Sequence, residues 1–133
     1  TLITSSAASD VYKRQPHIEN ILCNKIQICI NRNVDIILII GPHAITHIKD
    51  VIPNAISKSG AKIIRFGITV EPGHLLLLSK FKSSNKDIYI IGMPSCAKSP
   101  KENGLDWVLW RILCNINFKN SNLNELSVGG LIK

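Results

Sequence analysis

Cys96, Lys98 and Ser99 fall within four consecutive positions, in a run that also holds Pro94, Ser95, Ala97 and Pro100. A thiol can act as a nucleophile or soft ligand, an ammonium as a point charge for an anion, and hydroxyls as hydrogen-bond donors. The run sits inside "IIGMPSCAKSPKENGLDWVLWRILCN", between an apolar β-forming stretch ending at Gly92 and a helix. A plain connector needs fewer special residues, so this loop either performs chemistry or is an elaborate cap. Two other loops carry comparable groups. "GPHAITHIKD" supplies His43, Thr46, His47 and Asp50, and "GITVEPGH" supplies Glu71 beside Pro72 and Gly73. Asp50 and Glu71 are the pair that could hold Mg²⁺ against a phosphate, since Mg²⁺ takes one or two carboxylates and shares its shell with phosphate oxygens. Each group also has a purely structural role open to it. Asp50 can be a helix N-cap, Pro72-Gly73 a type II turn, and Cys96 an incidental thiol. His43 and His47 lie four apart but not on a helix, which is weak spacing for a metal.

The elements that must hold these loops follow from periodicity. Ile18, Leu22, Ile26 and Cys29, widened by Ile21 and Ile30, predict an amphipathic helix over 17–31. "VDIILIIG", 34–41, predicts a strand covered on both faces. A short helix is expected from Asp50 to about Ser59, with Pro53 in its first turn and Gly60 as its exit. "AKIIRFG" and "DIYIIGM" read as further strands, while "LLLLSKF" stays open between helix and strand. Leu105, Val108, Leu109, Ile112 and Leu113 then mark the final helix. The expectation is an α/β domain with helices flanking a mostly parallel sheet. Ligands of such sheets bind beyond the carboxyl ends of the strands. All three loops leave those ends at a glycine (Gly41, Gly67, Gly92), which lets backbone approach a ligand closely. Helix N-termini following Gly41 and Gly92 would offer N–H groups and a positive dipole end to an anion.

Composition narrows the partner. The chain has 133 residues, enough for one domain with a proper core, and 45% of them are hydrophobic. Its mean hydropathy of +0.16 argues for a folded chain. Apolar runs stay far shorter than a membrane span, and no basic flank leads into an apolar stretch as in a signal peptide. The net charge is +7 but scattered, and aromatics make up 5%, so nucleic acid is not the expected partner. A small anionic ligand uses that charge more economically. Cys23, Cys29, Cys96 and Cys114 form no CxxC pair, which reads as reduced thiols in a cytoplasmic protein. Residues 1–15, "TLITSSAASDVYKRQ", are small and polar without a sustained period. They are read as a foreign or junction segment and set aside from fold reasoning.

"DIILIIGPHAITHIKDVIPNAI", "FGITVEPGHLLLLSKF", "IIGMPSCAKSPKENGLDWVLWRIL" and "SVGGLIK" resemble, in order and spacing, the molybdopterin-binding domain of the MoaB/Mog/MoeA type. "DVIPNA" looks like that family's Asp-Val-Thr-Pro-Glu-Ala segment, and "VEPGH" and "GMPSCA" its pterin-site loops. The likeness is strongest to bacterial proteins in which this domain accompanies a molybdenum cofactor nucleotidyltransferase domain. It covers residues 16–133, expected to be part of such a domain. The resemblance implies a three-layer α/β/α sandwich, homo-oligomeric, that binds molybdopterin, with Mg²⁺ in some members. Asp50 then matches the acid that handles Mg²⁺ and phosphate, Pro72 and Gly73 the second loop, and Pro94 to Ala97 the third. Gly41, His43, Ala44, Thr46, Asp50, Pro72, Gly73, Pro94, Ser95, Cys96, Ala97, Lys98 and Ser99 form the candidate binding set, with Asp50 and Glu71 as metal ligands. No catalytic residue is assigned. Some family members adenylate molybdopterin and others insert molybdate. Here Pro42-His43 follows Gly41, Ser95 stands where the family has Gly, and His47 stands where it tends to have an acid.

Overall fold

Apolar residues, all β-branched but Leu38, run unbroken through Ile36–Ile40, and such a strand needs cover on both faces. The computed structural model describes residues 2–7, 9–14, 16–70 and 72–116. Within it the strands are β1 (Leu2–Ala7), β2 (Ser9–Arg14), β3 (Ile36–Ile40), β4 (Lys62–Phe66), β5 (Leu77–Lys82) and β6 (Asp87–Gly92). The helices are α1 (Glu19–Asn31), α2 (Val51–Lys58) and α3 (Gly104–Leu113), with a short 3-10 turn at Ser95–Lys98. The chain is an α/β protein. Its strands β3 to β6 form a mixed sheet, extended at one edge by the β1–β2 hairpin, in the order β2-β1-β3-β6-β5-β4.

Side-chain alternation along the strands feeds two separate cores. Ile37, Ile39, Ile88 and Ile90 pack with Leu22 and Ile26 of α1 and with Ile52, Ala55 and Ile56 of α2. Ile36, Leu78 and Ile91 pack instead with Leu105, Val108 and Ile112 of α3. Each fully buried Ile or Leu stabilises the fold by about 1.5–3 kcal/mol. α3 keeps only part of its predicted stripe inside, for Leu113 is 67% exposed and its neighbour Trp110 54%. Cys114, next to the last residue of that stripe, is the exposed C-cap of α3.

One expectation changes. The sheet is not mostly parallel: β3 pairs parallel with β6, whereas β4–β5, β5–β6, β1–β2 and β1–β3 are antiparallel. The cause is "LLLLSKF", which supplies β5 and inserts between β4 and β6. A tight turn closed by Ser83 N–H on the Lys86 carbonyl (3.0 Å) joins β5 to β6, and so short a connection can only be antiparallel. The segment set aside as a junction contributes backbone to β1 and β2, where β1 pairs with β3 and removes what would be an open edge. Among the described residues no helix is long and apolar enough to cross a membrane.

The loop between β4 and β5 is pinned to the start of α3. Gly73 has φ +117°, and a Cβ built there would lie 2.7 Å from the Gly104 nitrogen. Both the left-handed backbone and the close approach demand glycine. Gly73→Ala is expected to lower stability by about 2–4 kcal/mol in urea unfolding.

Candidate functional site

Two reversals of direction, β6 to β5 and β5 to β4, leave β3, β4 and β6 pointing the same way. The loops after all three therefore emerge on one rim, as the sequence predicts. Among the described residues, only the first of them lines the cleft at the head of α2. This cleft has a volume of about 200 Å³. His43, Ala44, Thr46 and Asp50 of the first loop line it together with Val51 and Ile52 of α2 and His17, which precedes α1. Gly41 makes room for this grouping, since a Cβ there would sit 2.9 Å from Ile52 Cδ1 and 3.7 Å from His17 Cε1.

Asp50 occupies the N-cap position of α2, yet its side chain makes no capping hydrogen bond. It faces backward instead, and its Oδ2 accepts from the backbone N–H groups of Thr46 (3.2 Å) and His47 (3.0 Å). His47 Nδ1 in turn accepts from Lys49 N–H at 3.0 Å. The loop is thus drawn into a tight turn that fixes Thr46 at the mouth of the cleft. Because Asp50 is occupied with the loop, the first turn of α2 keeps the amides of Val51 and Ile52 as donors; Pro53 carries no N–H. Among the described residues, no acceptor meets the N–H of Val51 or Ile52. Two amides, the Thr46 hydroxyl and two imidazoles around a helix N-terminus form a surroundings suited to an anion.

The other two loops are otherwise engaged. Ser95 to Lys98 form the 3-10 turn, and none of Pro94, Ser95, Cys96, Ala97, Lys98 or Ser99 lines the cleft. The third loop meets the first through Ile45, whose Cδ1 would lie 2.5 Å from a Cβ on Gly92. The expected anion-receptive N-terminus after Gly92 is filled by protein. Gly104 N–H donates to the Pro72 carbonyl (2.9 Å), Leu105 N–H to Asn103 Oδ1 (2.9 Å), and Asn103 N–H to Asp106 Oδ2 (2.8 Å). This is a capping box, its first-turn donors satisfied internally. Pro72 and Gly73 consequently serve the start of α3 and stay away from the cleft. Ser99 Oγ accepts from Lys101 N–H at 3.2 Å, a local turn. Glu71, the second metal candidate, lies outside the described residues, as does "SVGGLIK". Among the described residues no group of three or more His, Cys, Asp or Glu could hold a metal ion, and no disulfide joins the cysteines.

His17 is the site residue that sequence reasoning missed. It was absorbed into the predicted helix, although α1 starts only at Glu19. Burial holds its imidazole below the ordinary value of 6.5, neighbouring positive charge including that of His43 acts in the same direction, and Asp50 opposes. No family model, curated protein or solved structure matches this chain.

Two measurements follow from this geometry. Removing the loop acceptor in Asp50→Ala should speed amide exchange at Thr46 and His47 by roughly tenfold or more, as expected for loss of bonds to a charged acceptor. Asp50→Asn, which keeps an oxygen there, should have a smaller effect. The depressed His17 value also has a defined sign. The unfolded chain binds its proton more readily, so the contribution is full above about pH 6.5 and is lost as pH falls through the lower folded value. His17→Gln should flatten the fall in Tm expected of the parent between about pH 7 and pH 5.

Proposed function

We propose that this chain binds molybdopterin or its nucleotide form, in molybdenum cofactor biosynthesis or maturation, through loops at the C-terminal ends of its strands. The observation that carries this is the cleft at the head of α2, where His43, Thr46 and the amides of Val51 and Ile52 converge within the segment most like the family's phosphate-handling loop. The ligand's phosphate would lie against those donors. Its pterin edges would extend toward the third loop, which meets the first at Ile45 and Gly92. Asp50, whose Oδ2 holds the loop, and Glu71 are the residues that would hold Mg²⁺, and the ion would supply charge neutralisation at the phosphate. In this reading the helices on either side of the sheet make a three-layer α/β/α domain of the MoaB/Mog type. It would be homo-oligomeric and cytoplasmic, and would work with a fused or partner nucleotidyltransferase domain.

Binding without catalysis is the version favoured here, over a domain that itself transfers an adenylyl group or inserts molybdate. The cleft groups named above bind and orient, and none is poised as a nucleophile. A second reading, a scaffold or sensor domain that keeps the fold but has lost the site, draws support from the sealed cap of α3.

Calorimetric titration with molybdopterin, with and without Mg²⁺, separates these. A micromolar dissociation constant, on the order of −8 kcal/mol, is expected. Thr46→Val and His43→Ala should each weaken it about tenfold through lost hydrogen bonds to the anion. Lys98→Ala should act less. Absence of saturable binding would leave the scaffold, and turnover with ATP or molybdate would make the domain an enzyme.

A further inference from the structure

We propose that Asn54 is the positioning residue of the cleft, holding its two walls at a fixed separation; its functional consequence rests on the cleft being the binding site. One wall is His17, two residues before Glu19 at the start of α1. The other is the first loop, which ends at Lys49 and Asp50. The Asn54 side chain joins both. Its Nδ2 donates to Glu19 Oε2 at 3.1 Å and to the Lys49 carbonyl at 3.0 Å. Its backbone N–H adds a third tie, to the Asp50 carbonyl at 3.1 Å. Both side-chain partners are pure acceptors, so only the amide nitrogen can face them, and the orientation of the carboxamide is settled by chemistry.

No other common side chain does this. Asp has the shape but cannot donate, and would set a second carboxylate against Glu19. Gln is one methylene longer and would push the walls apart. Glu19 also pairs with Lys58 further along α2, but the Lys58 side chain is 58% exposed and on a flexible stem. Solvent-exposed pairs of this sort contribute little. The carboxamide is the short, directional link between a residue 35 positions away and one 5 positions away. It therefore sets how wide the cleft stands and how near His17 comes to Thr46 and Asp50.

The test reads the wall directly. Diethyl pyrocarbonate modifies neutral imidazoles, the form of an ordinary imidazole at about pH 8. Site-resolved mass spectrometry then compares His17, an exposed residue with one side against the cleft, with the exposed His74 on the β4–β5 loop. In Asn54→Asp and Asn54→Ala, His17 should be modified at least about threefold faster relative to His74, the change expected for loss of hydrogen bonds of ordinary strength. Glu19→Gln keeps an acceptor oxygen for Asn54 while discharging the pair with Lys58, and should leave the His17 rate unchanged. Asn54→Ala adds no charge and so preserves the test should Asn54→Asp fail to fold. Unchanged His17 modification in a folded Asn54 variant would overturn the proposal, as would an equal acceleration in Glu19→Gln. Molybdopterin affinity is measured on the same proteins. If the parent does not bind, the proposed function fails, while the His17 rates still decide the clamp.

Discussion

A parallel pair of strands buried on both faces can expose little but its ends, and β3 with β6 is such a pair. Ile36 and Ile91 point into one core, and Ile37, Ile39, Ile88 and Ile90 into the other. Their amides and carbonyls have no access to water and must be paired along the sheet. The pair therefore lies in the interior, with neighbours on either side, and its carboxyl ends share a rim. Gly92 and Gly41 follow from the same crowding. Each stands where apolar side chains from the first loop and α2 close over a strand end and leave no space for a Cβ.

On that rim, two similar stretches of polar sequence before a helix have opposite fates. Asn103 turns its side chain forward onto the amide of Leu105, and Asp106 reaches back to complete the cap. Asp50 turns away from α2 to bind the loop behind it. The first arrangement satisfies the donors of a helix start; the second leaves donors at the mouth of a cleft. A helix N-terminus becomes receptive only when the residue before it has another task. Here that task is set by a loop short enough for its amides to reach the Asp50 carboxylate.

Local pattern was sufficient for α1, α2 and α3, which carry the helical period, and for β3, β4 and β6, whose short runs are rich in β-branched residues. It was insufficient for β5. Four successive leucines have no period, and what makes the segment a strand is the partner on either side, β4 and β6. The strands β1 and β2 were not read from the sequence for a related reason: strand pairing rewards backbone as well as side chains, and an open edge at β3 accepts a segment with little hydrophobic pattern. The candidate site divided in the same manner. His43, Ala44, Thr46 and Asp50 were legible since they adjoin a strand end and a helix start. His17 was not, because it reaches the cleft from the far side of α1.

What the sequence determined alone is therefore where apolar stretches run, which loops end them, and which polar groups those loops carry. Hydrophobic periodicity is a local property and can be read in a window of a dozen residues. The tertiary structure decided which of those polar groups spend their hydrogen bonds on the protein and which remain at a surface. Pro72 accepts from Gly104, and Glu19 from Asn54, across separations that no spacing rule connects. Hydrogen-bond satisfaction depends on partners brought together by packing, so only the folded chain distinguishes the sealed third loop from the open first.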